Sequence, residues 1–164
     1  MKLAILEAKQ ELKRVDHLIY VTLKYTRTVD VLRAILSKLI HSYDVILAGM
    51  LSELKEAGKI EVIPVVPALR VKIVEEHFDN DVIKEMVKLY KHLRKLMNMK
   101  YKKNQEFRRH VNMELDLESG LFKVYIDTVE DYYHITQNYV ELIDQNFSLW
   151  LDKNNSDSEQ IENV

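Results

Sequence analysis

The sequence predicts a mainly α fold: an up-and-down bundle of four main helices plus a short helix, with one β-hairpin (about 111–126) before the last helix. Three observations carry this. Leu32, Ile35, Leu36, Leu39, Tyr43, Ile46, Leu47, Met50, Leu51 and Leu54 recur at helical spacing over 28–56. Ile40 and Val45 widen the stripe, so this helix needs cover on several sides and belongs at the centre. Only three glycines and two prolines occur in 164 residues, which leaves room for few turns. The apolar period switches to two over 111–126 alone.

The elements follow in order. Ile5, Ala8, Leu12, Val15, Ile19 and Thr22 share one side of a first helix over about 2–25, with Lys9, Lys13, Arg14 and Asp16 on the wet side. Thr26 and Thr28 are capping-type residues around Arg27, so the helix is expected to stop and restart there. No glycine or proline enforces that break, and one unbroken helix would favour an intertwined dimer. The central helix ends at Gly58, suited to a left-handed cap, with Lys55 and Lys59 at the negative end of its dipole. The β-branched, proline-interrupted stretch 59–67 reads as an extended apolar strap across the bundle. Pro67 then opens a short helix through Phe78.

Asp79, Asn80 and Asp81 start the next helix, with Val82, Met86, Leu89, Leu93, Leu96 and Met97 inward, and it runs to about Met99. In the hairpin, a turn at Ser119-Gly120 pairs Leu117 with Phe122, Leu115 with Val124 and Met113 with Ile126 on the apolar face. Asp116 then faces Lys123 and Glu114 faces Tyr125. Asp127 with Glu130 forms a capping box for the last helix, which carries Val129, Tyr132, Tyr133, Thr136, Tyr139, Val140, Ile143, Phe147 and Trp150 inward. The polar tail 152–164 is expected to be disordered and acidic, leaving 1–151 as a single domain.

Composition excludes several chemistries. There are no cysteines, hence no disulfide, zinc ribbon, iron–sulfur cluster or thiol nucleophile, which fits a reducing cytoplasm. Uninterrupted apolar runs fall short of the roughly 20 residues of a membrane span, and no signal-like core follows Lys2, so no membrane partner is expected. The net charge of −2 hides a segregation. Residues 84–110 hold ten Lys and Arg against two acids, a segment of about +8 on a body of about −10.

That segment is the main functional candidate. Lys84, Lys88, Lys91 and Lys95 fall within about 60° of arc on one helix face. With Arg94, Arg108 and Arg109 they could track a phosphate backbone, and Tyr90, Tyr101 and Phe107 could stack on bases, giving an RNA- or DNA-binding surface. The plain alternative is a solvated helix face with Tyr90 in the core. His41 with Asp44 and Asp131 with His134 have the spacing seen in di-metal bundles, but too few carboxylates accompany them; no metal or cofactor is expected. Helical toxin-type ribonucleases of the HEPN group pair an Arg and a His on one helix. Arg70 and His77 come nearest, although Val71 stands where those proteins carry a polar residue. Tyr132, Tyr133, His134 and Tyr139 could line a pocket, and more commonly such rings simply pack.

The stretches DHLIYVTLKYTRTVDV (16–31) and EFRRHVNM (106–113) resemble a family of small, uncharacterised archaeal helical proteins. That resemblance implies a cytoplasmic prokaryotic protein and supplies no catalytic residues. Tyr25, Arg27, Asp30 and His110, with Arg108 and Arg109, lie in those stretches at element ends, where polar groups can gather. Two functions are therefore expected to compete: a nucleic-acid binder acting through 84–110, and a non-enzymatic adaptor or scaffold that dimerises through its long helices. A HEPN-like ribonuclease ranks third.

Overall fold

A computed structural model describes residues 1–161, with side chains through 153. Helix α1 runs over Lys2–His17, widens into a π-turn over Leu18–Thr22, and closes with Leu23–Tyr25. The expected break follows. Thr28 caps helix α2 (Val29–Glu56), its hydroxyl accepting from Val31 N at 3.3 Å. The expected apolar stripe of α2 is buried throughout, and α1, the sheet and the three later helices surround it. Its length and mean hydropathy would also allow α2 to cross a membrane, which uninterrupted runs alone did not reveal. Gly58, with φ of +70°, ends it in a Schellman arrangement: Gly58 N reaches Lys55 O and Lys59 N reaches Leu54 O.

The strap at 59–66 is extended and turns only Ile60 and Ile63 onto the core, while Val62, Val65 and Val66 face outward. Arg70 Nε donates to Pro64 O at 2.8 Å and ties it to helix α3 (Pro67–His77). Helix α4 (Asp81–Asn98) starts at Asn80, whose side chain accepts from Val82 N and Ile83 N. Its buried face is rotated from the expected one. Ile83, Val87 and Tyr90 are enclosed in place of Val82, Leu89 and Met97, because the helix is apolar over a wide arc and Tyr90 belongs to its centre.

Three strands follow where two were expected. Strand β1 (Lys102–Asn104) pairs antiparallel with β2 (Asn112–Leu117), which pairs with β3 (Gly120–Val124) in the order β1-β2-β3. The hairpin turn falls at Glu118-Ser119, one residue earlier than expected, with Gly120 at φ +119°. The pairing is therefore shifted by two: Leu115 faces Phe122, Met113 faces Val124, and Glu114 faces Lys123. An even shift preserves the faces, so Met113, Leu115 and Val124 are still buried. Arg33 on α2 joins this sheet to the bundle; its guanidinium lies 4.1 Å above the Tyr101 ring and donates to Met97 O.

Helix α5 spans Ile126–Ile161, and Tyr43 on α2 meets it at the 2.7 Å contact of its hydroxyl with Thr136 Oγ1. The capping box is displaced. Thr128 Oγ1 accepts from Tyr125 N, which leaves Glu130 free to face α1. Of the tail expected to be disordered over 152–164, residues 152–161 continue α5 as helix, and 162–164 lie outside the described residues.

Candidate nucleic-acid interface

The structure divides the predicted basic surface in two. Along α4 three of the four lysines of the stripe are matched by acids: Lys84 with Asp79, Lys91 with Glu75 at 2.7 Å, Lys88 with Glu85 at 3.7 Å. The hydrogen bond to Asp79 raises the Lys84 pKa and lowers that of Asp79. Arg94 lies 3.7 Å from Asp44 and donates to Tyr90 Oη. Lys95, Arg108 and Arg109 have no acidic partner among the described residues. The stacking candidates divide likewise. Tyr90 is buried edge-on to Tyr43, Tyr101 lies half-covered under Arg33, and Phe107 stands 73% exposed.

The second part is a built site. Between β1 and β2 the chain turns through Gln105 (φ +57°) and Phe107 (φ +63°), a left-handed conformation uncommon for non-glycine residues and costly for a bulky one. Several bonds hold it. Phe107 N donates to Arg27 O at 2.7 Å, Arg108 N to Gln105 O, and Val111 N to Arg108 O. Glu106 Oε2 accepts from Val29 N, which has no partner within α2 at the helix's amino end, and Lys103 reaches Asp30 at 2.9 Å. Asn112 Nδ2 donates to His110 O. The loop is thereby clamped to the α1–α2 break, where the stretches 16–31 and 106–113 meet.

The result is a platform. Tyr25 (84% exposed) and Phe107 present bare rings, and Arg27, Arg108 and Arg109 lie in the same two clamped segments. A cleft of about 280 Å³ beside it is lined by Arg109, His110, Asp127 and Thr128, at the amino end of α5. Of the expected polar cluster, Tyr25, Arg27 and Asp30 adjoin the loop; His110 faces this cleft and that lined by Asn104, Gln105 and Lys123. The sequence signalled the arginines and Phe107 but not the clamp, which needs contacts 73 to 80 residues apart.

The other candidates are differently placed. His41 faces Glu7 and Asp44 accepts from Tyr90, so the proposed metal pairs stay apart. Among the described residues no three His, Asp or Glu side chains converge as metal ligands. Arg70 holds the strap, and His77 Nδ1 contacts Ile73 O. No family model, curated protein or solved structure matches this chain.

Proposed function

We propose that the protein binds single-stranded RNA through the platform of Tyr25, Arg27, Phe107, Arg108 and Arg109. One observation carries the reading: a bare Phe107 ring is held in a disfavoured backbone conformation by its bond to Arg27 O, two residues along the chain from an exposed Tyr25. Strained residues kept in place by their surroundings concentrate at functional sites. Sequence-tolerant binding of single strands combines aromatic stacking with basic groups along the backbone, and the platform supplies both. Lys84, Lys88 and Lys91 contribute less than their number suggests, since their charges are locally compensated.

The test is fluorescence polarisation with short RNA and DNA oligomers at low and moderate salt. Wild-type binding weakened by salt, lost in Phe107→Ala/Arg108→Glu and retained in Lys88→Glu/Lys91→Glu, supports the platform. Loss in the lysine variant alone moves the interface to α4. No binding even at low salt overturns the reading and favours the adaptor. That alternative is favoured by Val62, Val65, Val66 and Leu69, four exposed apolar side chains on the strap and α3.

A further inference from the structure

A second polar cluster lies where α1 crosses α5, and the platform leaves it unused. The π-turn places Tyr20, four residues after Asp16, against α5. Such turns recur at functional sites because they re-aim a side chain within a helix. Tyr20 Oη donates to Glu130 Oε1 at 2.7 Å and lies 3.3 Å from His134 Nε2; Glu130 and His134 are 3.7 Å apart.

A chain of hydrogen bonds fixes the imidazole. Asp16 only accepts, so Tyr133 Oη donates to it at 3.0 Å. The phenol oxygen then accepts from Gln137 Nε2 at 2.9 Å, which turns Gln137 Oε1 toward His134 Nδ1 at 3.2 Å. A carboxamide oxygen cannot donate, so Nδ1 carries a proton, and Nε2 is the nitrogen turned toward Tyr20. Asp16, Tyr133 and Gln137 also line an open cleft of about 580 Å³ between α1 and α5, with Lys9 and Lys13 on its α1 wall. At the other end Glu130 lies one turn along α5 from Asp127, in the cleft beside Arg109.

We propose that Tyr20, Glu130 and His134 form a metal-independent RNA-cleaving centre; this rests on the RNA-binding reading above. Glu130 takes the proton of a ribose 2′-hydroxyl, and the oxygen attacks the adjacent phosphorus. The bond from phosphorus to O5′ breaks, and protonated His134 gives its Nε2 proton to the departing O5′. The products are a 2′,3′-cyclic phosphate and a 5′-hydroxyl. Tyr20 contacts both groups, so its hydroxyl returns the proton from Glu130 to Nε2 and resets the site. Acid and base lie on successive turns of one helix, and the substrate supplies the nucleophile, so neither water activation nor a metal is required.

The experiment follows binding and cleavage together. Labelled RNA of mixed sequence is incubated in EDTA with wild type, His134→Ala, Glu130→Gln and Tyr20→Phe, all purified in parallel and checked for unchanged thermal melting. Cleavage to cyclic-phosphate ends, slowed at least about 100-fold in His134→Ala and Glu130→Gln at unchanged affinity, is expected. A 2′-O-methyl oligomer should bind and stay intact. RNA bound but uncut, or cut equally by every variant, overturns the cleaving centre and leaves the binding reading standing. RNA neither bound nor cut overturns both.

Discussion

At the scale of single residues, Phe107 separates stability from binding. Its left-handed backbone costs a bulky side chain on the order of 1 kcal/mol, and its exposed ring recovers little of that by packing. Phe107→Gly should therefore keep or raise stability by up to about 1 kcal/mol in urea melts. The same change should weaken RNA binding by about 1–3 kcal/mol through lost stacking. A variant that loses both would make the ring part of the fold. His92 gives a second case. Burial, then Lys95, lowers its pKa below the usual 6.5, and its Nε2 meets Tyr132 Oη at 2.9 Å between the Phe122 and Tyr132 rings. The unfolded chain takes up this proton more readily than the folded one. The stability is thus complete above pH 6.5 and declines as pH falls through the lowered value. Urea midpoints at pH 7.5 and 5.5 should differ less in His92→Gln than in wild type.

At the scale of elements, Asn80 satisfies two free N–H groups at the start of α4, at 2.9 and 3.2 Å. Asn80→Ala should cost about 1 kcal/mol with no effect on the platform, read as a shift in the urea midpoint. The helices were legible in the sequence because their signals are local: the long stripe of α2, the Asn80 cap, the Gly58 stop. The features misplaced have physical reasons. On α4 the apolar arc is wide, so the pattern could not locate its centre, and Tyr90 was weighed as a possible stacker as well as core. The hairpin turn slipped to Glu118-Ser119 because two registers an even step apart bury the same residues. Strand β1 is only three residues long and carries no apolar period; its ladder exists because β2 offers an edge. At the site, Arg108 and Arg109 stood out by charge, whereas Tyr20 and Glu130 gave no such signal. Glu130 looked like a cap, and the Tyr125–Thr128 bond that frees it is visible only in three dimensions.

At the scale of the whole molecule, one helix carries the cohesion. Leu47 lies in the second half of α2 and is almost completely enclosed. Leu47→Ala should cost about 2–5 kcal/mol, seen in thermal and urea melts alike, and should weaken the proposed RNA binding only where the protein is unfolding. The strap has the opposite character. It joins α2 to α3 yet rests on the core through Ile60 and Ile63, with Val65 86% exposed and backbone that belongs to no ladder. That makes it the natural place to divide the protein. Cut between Val65 and Val66, the first piece keeps α1 on α2, and the second keeps α3 to α5 with the sheet. Their shared surface is most of the core, so the halves, expressed separately, should find each other and rebuild a working whole. Reassembly of the two pieces, read by their co-purification, then requires both to be made in the same cell.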